Sequence, residues 1–197
     1  MRCVPPRGCS SRTASVTPDL RTLVRMYKLS NRRHAANELA MFQHQPSFED
    51  AVEQAALAHD DRGKRLDHQR RLSPEKLCRA KGLLMRAIPR FHSCSNFDEL
   101  LVLVEQTVTG LKGLNELYYY DTALRIGAFL GISPVKVYLH RGTRDGARNL
   151  GLNARARALD VSELPLEIRG LEPHEIEDFL CIYKDHFLNL NPNSRAQ

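Results

Sequence analysis

The chain has 197 residues, of which 42% are hydrophobic, and this size and composition suffice for one globular domain with its own core plus an extension. Its 29 Lys and Arg exceed its 23 Asp and Glu, so the formal net charge of +6 favours a polyanionic partner. The sequence has neither a run of about 20 apolar residues nor an apolar secretory signal, so we predict a cytoplasmic protein without membrane contacts.

The five cysteines are far apart and form neither a Cys-x-x-Cys pair nor a cysteine–histidine ligand spacing. This pattern argues against a zinc site or a disulfide framework. The glycines at 142, 146 and 151 do not make a phosphate-binding loop, because the preceding strand and the Gly-Lys-Ser or Gly-Lys-Thr ending are missing. We therefore predict that the protein uses no metal and no cofactor.

Residues 1–45 are predicted to be a basic, disordered arm outside the core domain. Five basic residues between Arg21 and Arg33 are accompanied in this segment only by Asp19 and Glu38, and sustained apolar periodicity is missing. Such an arm either binds phosphates or is a solvated tail. Residues 191–197 are predicted to be a loose tail.

Residues 46–190 carry dense helical signals and are predicted to form a single all-α domain, a bundle of about six to eight helices. Ser47 and Ser95 each begin a Ser-x-x-Asp pattern, and Ser73 precedes a proline, as is typical of helix N-termini. Apolar residues at helical spacing follow each of these starts. Long helices are thus predicted from 48, 74, 97, 117 and 173, the last to about 188, with short helices over 133–138, 143–150 and 162–170 and no strands.

The segment Leu111-Lys112-Gly113-Leu114-Asn115 separates two of the long helices and has the pattern of a helix-hairpin-helix element. Amide groups at the N-terminus of the second helix would be free to bind a phosphate. The usual second glycine of this pattern is Asn115, and asparagine tolerates a positive φ better than other non-glycine residues. A plain αα-hairpin would show the same residues, so both interpretations stay open.

After the hairpin the sequence continues with Val137-Tyr138-Leu139-His140, Arg144, Arg148 and Leu150-Gly151. With these residues, the segment 111–152 resembles the helix-hairpin-helix DNA glycosylase superfamily, in which the hairpin is followed by Val-Asp-Thr-His, an arginine-bearing helix and Leu-Gly. The resemblance implies the fold and DNA contact more than base excision. The catalytic aspartate of that family would fall near Tyr138, and the lysine of its bifunctional members near Leu117.

Four further segments have a recognisable pattern: Asp67-His68-Gln69-Arg70-Arg71, Tyr120-Asp121-Thr122-Ala123-Leu124-Arg125-Ile126-Gly127, Val137-Tyr138-Leu139-His140 and Glu175-Ile176-Glu177-Asp178-Phe179-Leu180. With them, residues 48–184 look like an uncharacterised bacterial helical family, and this similarity brings no known activity. It indicates that the segment before Phe48 lies outside the core domain.

Basic residues cluster after the hairpin, where Arg141, Arg144 and Arg148 share one helical face suited to a phosphate backbone. We predict a nucleic-acid-binding domain, with DNA favoured, and whether it is also an enzyme stays open. One alternative is a divergent glycosylase or lyase that uses Asp121 or His140, and another is a protein-interaction module whose basic charge is incidental. The predicted nucleic-acid contacts are Lys112, Gly113, Asn115, Arg125, Arg141, Arg144, Arg148, Arg70 and Arg71.

Overall fold

The computed structural model describes residues 18–60, 62–66 and 69–190, and this part of the chain is mostly helical. The predicted all-α class is confirmed. Two strands of two residues, β1 (Val137–Tyr138) and β2 (Ala158–Leu159), form a small antiparallel pair. The helices are α1 (Leu20–Ser30), α2 (Arg32–Gln43), α3 (Phe48–Leu57), α4 (Pro74–Phe91), α5 (Phe97–Val108), α6 (Glu116–Leu130), α7 (Arg141–Asn149), α8 (Pro173–Ile182) and α9 (Lys184–Phe187).

Side-chain caps fix the starts of the long helices. Ser47 accepts a hydrogen bond from the amide of Asp50 at 3.0 Å, and Ser73 caps α4 in the same way ahead of its N-terminal proline. The cap of α5 is Asn96, whose side chain accepts from the amide of Glu99 at 3.0 Å, and not the predicted Ser95. The sequence signals for α3 and α4 are therefore confirmed. The cap of α5 lies one residue later than predicted, while the helix itself begins at the predicted Phe97.

Two groups of buried apolar side chains hold the fold together. The first core is formed by α3, α4, α5 and α6, with Phe42 from the end of α2 and Tyr138 from β1. The second core joins α1 to the C-terminal segments β1, β2, α7, α8 and α9. The described part of the chain thus starts with α1 in the second core, forms the first core with α3 to α6, and ends with α7 to α9 in the second core.

The prediction of a disordered arm over residues 1–45 is wrong for residues 20–43, which form α1 and α2. Leu23, Val24 and Tyr27 lie on one face of α1 and are buried in the second core. The hydroxyl of Tyr27 donates to Asp178 of α8 at 3.1 Å, and its ring packs edge-on against Phe179 at 5.9 Å between centroids. A single apolar stripe on an otherwise basic helix was enough to anchor it. Residues 1–17 and the predicted tail over 191–197 lie outside the described residues.

The C-terminal third differs from the prediction in three places. Residues 133–138 are not a helix: they form a loop and β1, in which Val137 pairs with Leu159. The segment 162–170 contains only a short 3-10 turn, Val161–Glu163, followed by further turns. The last predicted helix is divided at Tyr183 into α8 and α9. Of the described residues, no helix is long and apolar enough to cross a bilayer.

Candidate functional site

The turn between α5 and α6, residues 110–115, is tight, and the side chains of Leu111 and Leu114 are buried in the first core. Gly113 adopts φ +94°, a left-handed conformation that glycine takes without steric cost. Asn115 is extended, with φ −140°, and its side chain accepts from the amide of Tyr118 at 3.2 Å. The expectation of a positive φ at Asn115 is therefore wrong, because this residue acts as the N-cap of α6.

Lys76 of α4 reaches across to this turn, and the sequence analysis missed it. A methyl group built on Gly113 would lie 2.5 Å from Nζ of Lys76, so the ammonium group sits beside the glycine. Lys112, which precedes Gly113 in the chain, is exposed. One sequence signal indicates a role for Lys76 other than helix stability. It lies in the first turn of α4, where a cation is unfavourable for the helix dipole.

Other basic side chains extend this region. Arg70 and Arg71 are exposed in the segment that leads into α4, and Arg79 is exposed one turn after Lys76. Glu75 is an exposed acidic residue of the same helix turn. We call the set Arg70, Arg71, Lys76, Arg79 and Lys112 the turn surface. The structure therefore places Lys76 and Lys112 at the α5–α6 turn, with three further exposed arginines on α4 and in the segment before it.

The arginine face predicted on α7 is partly used for internal contacts. Arg144 donates to the carbonyl oxygens of Ala154 and Ala156 at 3.2 and 2.7 Å, and to the carboxylate of Glu116 at 3.0 Å. Arg148 pairs with Asp145 at 2.6 Å, and Arg141 is exposed. Arg144 thus joins the loop before β2 to the start of α6. Since Arg148 is paired as well, the three arginines do not form a row of unpaired cations.

The predicted nucleic-acid contact at Arg125 is wrong, because this residue is only 3% exposed. Its guanidinium group donates to Glu38 at 3.2 and 3.0 Å and to Gln69 at 3.3 Å. It also lies over the ring of Phe42, 5.6 Å from the centroid. Arg125 ties α6 to α2 inside the protein and is too buried to contact a nucleic-acid backbone at the surface.

A cavity of about 210 Å³ lies at the start of α6, between that helix, β1 and α7. Tyr119, Tyr120, Tyr138 and His140 line it, with arginines at its edge. Burial, together with the charge of Glu177, holds the pKa of Tyr120 well above its usual value. The arginines at this edge are Arg144, Arg155 and Arg157.

His140 is buried at this cavity and contacts Glu177 through Nε2, which also lies 2.9 Å from the hydroxyl of Thr143. At the positions where the glycosylase resemblance places catalytic groups, the structure has Tyr138, which donates to Asp98, and the half-buried Leu117. No carboxylate or amine of that kind is supplied at either position.

A second cavity, the cleft, has a volume of about 330 Å³ and lies between the two cores. Asp121 lines it, is 6% exposed and accepts a hydrogen bond from Gln69. His140 lines the other cavity. The structure therefore does not bring the two catalytic candidates into a common cavity.

Within the described ranges, no group of three or more His, Cys, Asp or Glu side chains is placed to hold a metal ion. Comparisons of this chain with protein-family models, with curated proteins and with solved structures found no match. The case for a function therefore depends on the geometry of the turn surface and of the two cavities.

Proposed function

We propose that this protein binds DNA, with the α5–α6 turn acting as a helix-hairpin-helix element and the turn surface as the contact to the phosphate backbone. The observation that carries the proposal is the position of Lys76, whose ammonium group is held beside Gly113 at the turn. A residue from a different helix thus adds positive charge at the turn that precedes α6.

The start of α6 is suited to an anion for two further reasons. Amides in the first turn of a helix have no partners within the helix, and the helix dipole favours negative charge there. The side chain of Asn115 satisfies the amide of Tyr118, which leaves the earlier ones for a ligand. The one acidic residue in this first turn, Glu116, is neutralised by its contact with Arg144 at 3.0 Å.

The surrounding charge supports a polyanion rather than a single phosphate ion. Of the four other basic residues of the turn surface, Arg70 and Arg71 are exposed before α4, Arg79 on α4, and Lys112 in the α5–α6 turn. Each phosphate neutralised on duplex DNA releases counterions and steepens the slope of log K against log salt by about 0.9. Binding by this surface would therefore be strongly salt-dependent and largely independent of sequence.

Binding without base excision is the form of the proposal that the site favours. Asp121 is buried against Gln69 in the cleft, and His140 is held by Glu177 and Thr143 in a different cavity. Neither side chain lies on the turn surface. The cavity of His140 also lies at the start of α6, but His140 is buried there and engaged by Glu177 and Thr143.

The test is fluorescence anisotropy of a labelled duplex, and of one of its strands, titrated with the protein over a salt series. The variant is Lys76→Gln combined with Lys112→Gln. Its matched control is Lys28→Gln combined with Lys81→Gln, which removes the same charge from an exposed position on α1 and from a lysine paired with Glu53.

We expect salt-dependent binding of the duplex by the unmodified protein and by the control. The turn variant should bind more weakly, with a slope reduced by about 1.8 because two phosphate contacts are lost. If both variants lost the same affinity for the duplex, the effect would come from net charge alone, and a role of the turn would be contradicted. Absence of any salt-dependent binding would favour the protein-interaction module instead.

A further inference from the structure

The cavity at the start of α6 adjoins the proposed phosphate site. The exposed residues of its lining, which mark its mouth, are Glu116, Arg155 and Arg157, whereas Tyr120 is buried. Glu116 is the first residue of α6 and directly follows Asn115, which caps that helix. A nucleotide next to a phosphate bound at the amides of α6 would therefore lie beside this mouth.

The mouth of the cavity carries one unpaired positive charge. Arg144 pairs with Glu116 at 3.0 Å, and Arg157 pairs with Glu105 at 2.6 Å, so these four charges offset one another. Arg155, the third arginine of the lining, is exposed, and its side chain has no hydrogen bond or ion pair with another residue of the described part of the chain. The guanidinium group of Arg155 is therefore available to a phosphate at the mouth.

Tyr119 gives the cavity an aromatic side chain that a ligand can contact. Its hydroxyl donates to the carbonyl oxygen of Leu114 at 3.3 Å, which holds the ring beside the α5–α6 turn. Tyr119 is only partly buried, so it keeps accessible surface, unlike the buried Tyr120 that follows it in the chain. Bases stack on such rings with little regard to sequence, because every base has a π face.

The volume of the cavity limits what can enter it. A volume of about 210 Å³ is below the range of about 300–1,000 Å³ that is typical of sites for whole small-molecule ligands. One part of a larger ligand fits this space better, and a single base of a bound strand is such a part. A base can enter only when it is not stacked and paired within a duplex.

A nucleotide that is already unpaired benefits most from such a cavity. Stacking on one aromatic side chain strengthens binding by about five- to 150-fold per base. Extruding a base from an intact duplex first breaks its pairing and stacking, and this cost offsets most of the gain. An unpaired nucleotide keeps the whole gain, so the cavity separates the two kinds of DNA.

We propose that this cavity binds one unpaired nucleotide of the DNA, with its base stacked on Tyr119 and its phosphate against Arg155. The protein then prefers DNA that contains an unpaired nucleotide to a continuous duplex. This inference rests on the proposed DNA binding and names the kind of DNA that is preferred. The turn surface supplies the contacts that both kinds of DNA share, and the cavity supplies the difference.

The experiment compares three labelled DNAs by fluorescence anisotropy: a continuous duplex, the same duplex with a one-nucleotide adenine bulge, and that bulge with an abasic residue in place of the adenine nucleotide. The two bulged DNAs have the same number of phosphates and differ only in the base. We expect the bulge with the base to bind about tenfold more tightly than either of the other DNAs. With 2-aminopurine at the bulge, the fluorescence of the base should fall on binding as the base stacks.

The variants test the ring and the cation separately. Tyr119→Leu should abolish the preference for the base, whereas Tyr119→Phe keeps the ring and should keep the preference, although both lose the hydrogen bond to Leu114. Arg155→Gln should weaken binding of both bulged DNAs and lower the slope of log K against log salt by about 0.7–0.9. Its matched control is Arg33→Gln, which removes an exposed arginine of α2 that does not line this cavity.

Three results would overturn the inference: the two bulged DNAs bind with the same affinity, Tyr119→Leu keeps the preference, or Arg155→Gln binds bulged DNA like Arg33→Gln. Lys76→Gln combined with Lys112→Gln should weaken binding of all three DNAs by a similar factor and leave the preference unchanged. Salt-dependent binding of the duplex without any preference would contradict this inference alone. Absence of salt-dependent binding of all three DNAs would contradict the proposed DNA binding as well, so the two failures are distinguishable.

Discussion

The two cores are built from the sequence in different ways. The first core is made by four consecutive helices, α3 to α6, each of which packs against a neighbour in the chain. The second core brings together segments from both ends: Tyr27 and Asp178, which share a hydrogen bond, are 151 residues apart. The first core can therefore form from local contacts, whereas the second requires closure of almost the whole chain.

Between the two cores lies a polar layer rather than a continuous apolar one. Arg125 pairs with Glu38, Glu177 holds His140 and Thr143, and Arg32 of α2 pairs with Glu175 of α8 at 2.6 Å. Buried ion pairs contribute little net stability, because desolvation offsets most of the attraction. We therefore expect the second core to open more readily than the first.

The largest expected effect comes from Phe179→Ala in the second core. Phe179 is fully buried and contacts the rings of Tyr27, Tyr183 and Phe187. Its truncation should lower the free energy of unfolding by about 3–5 kcal/mol. Hydrogen exchange followed by mass spectrometry should show lost protection mainly in α1, α7, α8 and α9, with α3 to α6 retained.

The matched variant is Phe91→Ala, which removes an equally buried ring from the first core. Because β1 contributes Tyr138 to the first core and Val137 to the second, this variant should reduce protection in both. If the two variants gave the same pattern of exchange, the cores would be a single cooperative unit and the comparison would fail.

An alkaline titration sharpens the same comparison, because the six tyrosines are divided between the two cores. Burial raises the pKa of Tyr118 in the first core to about 12, and its hydroxyl donates to the carbonyl oxygen of Ala56. Burial also raises the pKa of Tyr27 in the second core, with Asp178 adding to the effect. In the folded state both tyrosines are therefore more stable in the neutral, protonated form than in the ionised form.

The sign of the pH effect follows from these shifts. The unfolded chain loses the Tyr118 proton near pH 10 and the folded chain near pH 12. The contribution of Tyr118 to the free energy of unfolding is therefore fully present below pH 10 and is lost progressively as the pH rises to 12. The loss from this residue reaches about 3 kcal/mol. Absorbance of tyrosinate, followed together with circular dichroism, should show ionisation in step with unfolding. Ionisation of most tyrosines near pH 10 with the helices intact would contradict the burial of these side chains.

The sequence predicted the first core better than the second for a physical reason. Caps and apolar periodicity are local signals, and α3, α4 and α6 carry both. In the sequence Arg125 is indistinguishable from a surface cation, because its partner, Glu38, is 87 residues away in the chain. The position of Lys76 has no local signal either, since only the packing of α4 brings it to Gly113. The cleft, whose walls come from α2, α6 and α8, had no signal in any one segment.

The smallest expected effect concerns the contact between α7 and α8. A Cβ atom built on Gly146 would clash with the backbone carbonyl oxygen of Leu180, which cannot move without shifting α8. Gly146→Ala should therefore lower the free energy of unfolding by about 1–3 kcal/mol, as overpacking typically does, with the loss of exchange protection confined to the second core. Thermal and urea unfolding would measure the total.

Gly82→Ala in α4 is the control for this substitution, because the nearest atom to its added methyl group is the end of the Arg86 side chain at 3.9 Å. There the better helix propensity of alanine should raise the free energy of unfolding by up to about 1 kcal/mol. Opposite signs at the two positions would show that α7 and α8 are held at backbone contact, which fixes the wall of the cleft that Glu177 and Asp178 occupy. If Gly146→Ala were also stabilising, α8 would be free to move, and the second core would be looser than its packing indicates.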